Sequence, residues 1–401
     1  MLDLLKGIRI LDFTTVVLGP YATQILGDLG AEVIKVEPLT GDGFRAIRPG
    51  HHPQMGAGYL NLNRNKRSLA IDVRSEEGLA VVDRLVANSD VVVHNMRAAS
   101  AERLGIGFER LKAINPKIAC CFTAGFGVEG RDRDEPAYDD IIQARSGLAW
   151  LNANAAGEPR FVSTIIADKV GGLHLAIAAL AAIVKQARSG EPVEVEAPMF
   201  ESLVSFMMIE QLAGRTFEPP LGSTGYERLL SPYRKPYRTK DGFVALLPYN
   251  TRQWVRFMQI IGRNDMVDEP MLTDPVERSR NIDTLYEMME SAVGQRTTAE
   301  WLAVLRENDI PCSPVNSLED VMADQHLGDV DLFEQVDHPS EGSTVAVRSP
   351  FRSGIASSDR PAPRLGADAR SVLAECGLSE ERIGELVAAG IIAAHDSEDA
   401  A

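Results

Sequence analysis

Cysteine is scarce in this chain: four residues in 401 (Cys120, Cys121, Cys312 and Cys376), scattered and without a CxxC pair. That excludes a disulfide-stapled scaffold and a Cys-rich zinc site, and leaves reduced, mostly buried thiols. No uncharged apolar run reaches 18 residues, so no segment reads as a membrane span. The N-terminal Met-Leu-Asp-Leu-Leu-Lys-Gly lacks a basic stretch leading into a long apolar one, and a cytoplasmic location is the expectation. Basic residues are outnumbered, 41 against 57 acidic, for a formal net charge of −16. Nucleic acid and anionic membrane are therefore disfavoured partners, and any polyanionic ligand needs a local basic patch. The seven histidines form no HxH or HExxH arrangement, so no metal site is expected, and no GxSxG elbow marks a serine hydrolase.

What is present is a globular composition, 45% apolar and 24% charged, at a length that favours two domains or one large domain with insertions. The first third alternates short β-branched runs with helical stretches, the pattern of an α/β fold with a parallel sheet. Strands are expected at 7–13, 32–36, 68–72, 91–94, 117–122 and 192–196. Gly19-Pro20 opens a helix to about residue 29, with proline near the first helical position. Ser75 to Asn88 and 139–151 also read as helical, and 198–212 as a proline-started helix. In 169–185 the residues Val170, Leu173, Ile177, Leu180 and Val184 recur at three- and four-residue spacing, which predicts a helix with a buried apolar stripe. Residues 213–235 are rich in Gly, Pro, Ser and Arg and read as a linker. Beyond it come a hairpin around Lys240-Asp241-Gly242 and helices near 251–261, 277–294 and 298–307, the last with Thr297 and Glu300 as a capping box. Residues 328–366 read as turn-rich, the C-terminus as helical, and 394–401 as a frayed end.

A leading β-loop-α-β unit with Glu37 after its second strand raises the possibility of dinucleotide binding, but the loop Thr14-Thr15-Val16-Val17-Leu18-Gly19 has one glycine where the fingerprint needs three. Carboxylate chemistry is what remains. Asp168 stands at the start of the most strongly patterned helix, followed by Gly171-Gly172, which permit close approach to the backbone. By position alone it reads first as a helix cap, aspartate being among the commonest N-cap residues, and only second as a placed, charged nucleophile. Asn63-Arg64-Asn65-Lys66-Arg67-Ser68 is the densest basic cluster; with Arg74, Arg97 and Arg103 it could form a phosphate site, or simply be solvated surface charge.

These residues resemble a known family. Leu5-Lys6-Gly7-Ile8-Arg9-Ile10-Leu11-Asp12-Phe13, Gly19-Pro20, Leu29-Gly30-Ala31-Glu32-Val33-Ile34-Lys35-Val36-Glu37 and Gly41-Asp42 are similar to the opening of the class III CoA-transferases (CaiB/BaiF type). That family includes formyl-CoA and carnitine CoA-transferases and 2-methylacyl-CoA racemases. The likeness continues through Asn63 to Leu69 with Asp72, Asp90 to Asn95, Tyr138-Asp139 with Gln143-Ala144 and Ser146-Gly147, Ala167-Asp168 with Gly171-Gly172, Pro363-Arg364-Leu365-Gly366 and Leu386 to Ile391.

The resemblance implies a Rossmann-like large domain with a parallel sheet, built from 1–212 and 330–401, and a smaller α+β domain over 236–329, in an interlocked homodimer. It implies an acyl-CoA donor, a carboxylic acid acceptor, coenzyme A as a substrate moiety and no tightly bound cofactor. Asp168 matches the family's catalytic aspartate, which carries an aspartyl-CoA thioester. Val16, Leu18, Ile71, Arg74, Asn95, Met96 and Arg103 match its CoA contacts, and Val17 and Tyr138 its substrate-facing positions. Where the formyl enzyme has a glutamine this chain has Val17, an arginine is replaced by Pro38, and the shielding glycine loop is Leu247-Pro248-Tyr249-Asn250, so formyl and oxalyl specificity is not expected. The alternatives are the racemase branch, whose histidine position is here Tyr138, and a catalytically inert CoA-binding protein. Arg48 or Arg145 could hold the second carboxylate of a dicarboxylic substrate such as succinate.

Overall fold

The computed structural model describes residues 1–153, 157–353 and 359–394. The chain divides into two compact units, one built from Met1–Ala153, Pro159–Phe206 and the chain from Gly328 onward, the other spanning Met207–Leu327. The smaller unit takes in residues 213–235.

The larger unit is organised by a seven-stranded sheet. Its parallel strands are β1 (Arg9–Phe13), β2 (Glu32–Glu37), β3 (Lys66–Ile71), β4 (Val91–His94), β5 (Ala119–Phe122) and β6 (Val193–Glu196). The order across the sheet is β3-β2-β1-β4-β5-β6, with the short C-terminal strand Ile392–Ala393 antiparallel on the β3 edge. Leu11, Ile34, Leu69, Val92 and Cys120 are fully buried, as expected of parallel strands covered on both faces. The helices α1 (Leu18–Asp28), α2 (Glu76–Ala87, capped by the Ser75 hydroxyl), α3 (Asp139–Ser146) and α4 (Ile166–Ser189) provide much of that cover.

Several expectations need correction. The 139–151 helix is interrupted at Gly147, whose φ of 91° ends α3 before a separate turn, Leu148–Leu151. The 277–294 helix is two, Pro275–Arg280 and Ile282–Val293. The turn-rich stretch 328–366 contains an antiparallel hairpin, Phe333–His338 with Gly342–Val347. Its edges are polar and its apolar residues sparse, so alternation was weak in the sequence. Residues 354–358 of that stretch, and 395–401 of the frayed end, lie outside the described residues.

The apolar stripe of α4 is also reassigned. The side chains facing the core are Val170, Leu175, Ala176, Ala179, Ala182 and Ile183, with Gly171 and Gly172, while Leu173 (45% exposed), Ile177 (64%) and Val184 (54%) face outward. Small residues let α4 lie close on α1, β5 and β6, so alanines and glycines share its inner face with Val170, Leu175 and Ile183. Among the described residues α4 is the one helix long and apolar enough to cross a membrane, and half of it is buried in the fold.

The smaller unit has a three-stranded antiparallel sheet, Tyr237–Arg238, Phe243–Leu246 and Cys312–Pro314. Helices pack over it around Trp254, Phe257, Tyr286 and Trp301. The capping box of Thr297 and Glu300 forms as expected.

Candidate active site

Successive strands are added on one side of β1 (β2, β3) and then on the other (β4, β5, β6), so the loops after β1 and β4 diverge. The crevice at that switch point, outside the carboxyl ends of the strands, is where open α/β sheets bind ligands. A cleft of about 260 Å³ lies there, lined by Thr15, Val16 and Leu18 after β1, Asn95 and Arg97 after β4, and Tyr138 and Asp168 from the starts of α3 and α4.

The loop after β1 is held almost atom by atom. Thr14 N–H donates to Asp12 Oδ1 (2.9 Å), Thr15 N–H to Asn95 Oδ1 (3.0 Å) and Val16 N–H to Asp42 Oδ1 (3.1 Å). The Thr15 carbonyl accepts from Asn95 Nδ2 (2.9 Å) and the Thr14 carbonyl from Lys35 Nζ (2.8 Å). So constrained, Val16 takes a φ of 69°, a left-handed conformation that costs a β-branched residue about 1–3 kcal/mol. The loop then enters α1, whose first residue, Leu18, presents its N–H to the Asp168 carboxylate.

Asp168 occupies the third position of α4, and its carboxylate does not cap that helix. Asp139 does so instead: its Oδ1 accepts the N–H groups of Ala167 (2.7 Å) and Asp168 (3.1 Å), while Gln143 Nε2 donates to its Oδ2 (2.6 Å). Close approach of α4 to α1 requires Gly171 and Gly172. A Cβ at 171 would stand 2.8 Å from Leu18 Cδ1, and one at 172 would stand 2.8 Å from the Leu18 carbonyl. Burial, then the neighbouring Asp139 charge, pushes the Asp168 carboxyl up to about 6, against the pull of the Leu18 N–H. The carboxylate is thus ionised at neutral pH yet more basic than an ordinary aspartate.

Of the residues singled out from the sequence, Val16, Leu18, Asn95, Tyr138 and Asp168 meet in this cleft. Val17 is buried just before α1, and Ile71 is fully buried at the end of β3, so neither side chain lines it. Met96 packs against the sheet's core. Arg74 and Arg103 are exposed and do not line the cleft either, the latter donating to Ser100 Oγ at 3.0 Å.

The cluster 63–68 is not a phosphate site. Lys66 is fully buried against Asp12 (3.0 Å), Arg64 pairs with Asp28 (2.5 Å), and Arg67 pairs with Glu32 (2.6 Å) and Glu375 (2.8 Å). Charged side chains that must enter a protein interior are paired there, and this explains their density better than solvation or ligand binding. Arg145 stacks on Phe126 (4.5 Å to the ring centre) and pairs with Asp132, while Arg48 does not line the cleft. Arg97 is the one cation lining it, and no ion pair engages that residue among the described residues.

The sequence reading gave no role to Asp139, Lys35 or Asp42. The signals were an aspartate opening a helix beside Tyr138, and a lysine inside the otherwise apolar strand Val33-Ile34-Lys35-Val36.

A doubly wound sheet carrying a half-buried, basic carboxylate at its switch point, without a dinucleotide fingerprint, defines an α/β protein with a ligand crevice into which an aspartate faces. The chain belongs to CoA-transferase family III, whose family model matches residues 5–369. It is 30% identical to succinyl-CoA:glutarate CoA-transferase of Mus musculus, covering 98% of this chain and 91% of the relative. It is 29% identical to (R)-2-hydroxy-4-methylpentanoate CoA-transferase of Clostridioides difficile (95% and 97% covered). Among solved structures, a CaiB/BaiF family protein from Brucella suis matches at a TM-score of 0.78 and 28% identity, covering 94% of this chain and 100% of that one. The protein is an enzyme of this transferase class.

Proposed function

We propose that the protein moves CoA from an acyl-CoA donor to a carboxylic acid through a thioester on Asp168. The observation that carries this is the placement of one free, basic carboxylate in the cleft against a helix N-terminus. An Asp168 oxygen attacks the donor's thioester carbonyl, the C–S bond breaks, and CoA leaves as thiolate, giving a mixed anhydride. The thiolate attacks Asp168 Cγ and expels the donor acid as its carboxylate, leaving the aspartyl-CoA thioester. The acceptor carboxylate then attacks that thioester and the two steps run in reverse. Each intermediate remains an activated acyl group, so transfer needs no outside energy provided water is kept away. As attack at Cγ develops negative charge on oxygen, the Leu18 N–H and the start of α1 are placed to stabilise it.

Val16, Leu18 and Asn95 would frame the thioester end of CoA, with Arg74, Met96, Arg103 and the backbone at Ile71 toward its nucleotide end, and Tyr138 near the acyl group, the buried Val17 backing that wall from behind. Arg97 gives the cleft a positive charge suited to the second carboxylate of a dicarboxylic acid, and relatives named for succinyl-CoA and glutarate support that class. The racemase alternative needs a base on each side of an α-carbon; no histidine lines the cleft, and Tyr138 is 74% exposed. The outward apolar face of α4 supports a homodimer.

The test is to incubate the protein with succinyl-CoA in the absence of acceptor and digest it. A CoA-sized, hydroxylamine-sensitive adduct is expected on the peptide containing Asp168, and loss of both adduct and transfer in Asp168→Ala. An unmodified peptide alongside accumulating product would overturn the reading.

A further inference from the structure

Beneath the cleft lies a set of charged side chains that the reaction itself does not use. Lys35 and Asp42 form an ion pair at 3.0 Å with both side chains wholly inaccessible, and neither lines the cleft. Lys35 Nζ reaches the Thr14 carbonyl at 2.8 Å as well as the carboxylate of Asp42. Asp42 accepts the N–H of Val16 and, at 2.9 Å, that of Phe44, while its own N–H donates to Glu37 Oε1 at 3.1 Å. One buried pair therefore grips the loop on both sides of Thr15, at the carbonyl of 14 and the amide of 16.

The loop needs such a grip. Val16 is held at a φ of 69°, where a β-branched residue does not stay unassisted. Two residues on, Leu18 lines the cleft with Asp168 and packs against Gly171 and Gly172 one turn along α4, and its N–H favours the ionised carboxylate. We propose that Lys35 and Asp42 are positioning residues for transfer: by holding Val16 in the left-handed conformation they aim the Leu18 N–H at the carboxylate of Asp168. This rests on Asp168 being the nucleophile.

Two independent features support the assignment. The backbone groups on either side are committed elsewhere, Thr14 N–H to Asp12 and the N–H and C=O of Thr15 to Asn95, and the side chain that receives the Val16 N–H among the described residues is that of Asp42. The pair is itself locked from behind: Glu37 is held by Arg45 (2.7 Å), and Asp12 by Lys66 (3.0 Å). Burial would lower Lys35, but Asp12, Asp42 and Glu37 raise it overall, so it stays charged. The charged or titratable groups that face Asp168 itself are Asp139 from α3 and, along the cleft wall, Arg97, Glu135 and Tyr138; the adjacent Lys169 is turned to Thr164 Oγ1 at 2.7 Å.

The experiment is a cycle of D42N, V16G and D42N/V16G, reading kcat, KM, the acidic limb of the kcat/KM pH profile and the melting temperature. Glycine adopts positive φ without help, so it removes the need for the grip. D42N in the Val16 background is expected to lower kcat/KM about 10- to 100-fold, chiefly through kcat. It should also move the acidic limb upward, because the Leu18 N–H no longer favours the ionised carboxylate. In the V16G background the same substitution should cost less than about threefold, since residue 16 then holds its conformation unaided.

An equal loss in both backgrounds, or a lowered melting temperature with an unmoved pH limb, would show a purely structural pair and overturn the proposal. Should D42N not fold, K35R replaces it in the same cycle. Charge is retained there, but a bulkier planar group in a sealed site displaces the Asp42 carboxylate, and a wild-type pH profile in K35R overturns the proposal equally. Transfer surviving in D168A sinks the nucleophile reading instead, so the two failures are distinguishable.

Discussion

Asp139 Oδ1 accepts the backbone N–H of Asp168 at 3.1 Å, so the two carboxylates at the start of α4 have separate tasks. Asp139 caps the start of the helix and is tied down by Gln143; Asp168 keeps its carboxylate for the cleft. An aspartate in the first turn would ordinarily become less basic, through the helix dipole and the free amides. Here burial of the carboxyl, and then the second negative charge of Asp139 on those amides, reverse the effect.

Replacing Asp139 by asparagine should separate the cap from the charge. The Asn carbonyl oxygen can still accept from Ala167 and Asp168, but the like charge is gone. The acidic limb of the kcat/KM profile is expected to move down from about 6 toward the ordinary aspartate range, with transfer slowed as Asp168 becomes less basic. The new amide would face Gln143 Nε2, donor against donor, so stability should fall by about 1–2 kcal/mol. Kinetic titration and thermal melts of D139N read the two effects separately, and an unmoved limb contradicts the electrostatic role.

Asp168 also makes stability depend on pH. Its folded-state value, about 6, lies above its ordinary 3.8, so folding disfavours the charged form. That penalty is absent below the ordinary value, grows as pH rises between the two, and is complete above the folded one, at roughly 1–3 kcal/mol for a group of this burial. Asp168→Asn removes it. The variant should melt higher than the parent at pH 8, with the difference vanishing near pH 3.5. Melting curves at the two pH values check this, and a variant less stable at pH 8 would contradict it.

The outward face of α4 gives a third expectation. Leu173 and Ile177 lie one turn apart and are substantially exposed. If they pack against a second copy, L173K/I177K places two like charges in that contact and weakens association by at least about tenfold. Sedimentation of the parent and the variant at micromolar concentration measures it; identical masses would remove this face as an interface.

Much of this was legible in one dimension. β-Branched runs broken by glycine and proline marked the six parallel strands within a few residues, because strands buried on both faces admit little else. Glycines at 171 and 172 flagged a close approach, and the two glycines do bring α4 against α1. The hairpin at 333–347 and the orientation of α4 were not legible. A polar hairpin has weak alternation, and helical periodicity locates an apolar stripe without saying whether the core or a partner covers it.

Taken alone, the sequence determined the class of fold, the family and the aspartate on which a mechanism could be built, since each depends on local pattern or ordered motifs. Which carboxylate caps α4 and which stays free was decided only by tertiary structure. So were the internal pairing of a lysine- and arginine-rich run that resembled a phosphate site, and the gripping of residue 16 by a pair sealed beneath it. The reason is physical: capping, charge pairing and pKa depend on distances between side chains far apart in the chain, and those distances exist only once α4 lies on α1 and the strands stand side by side.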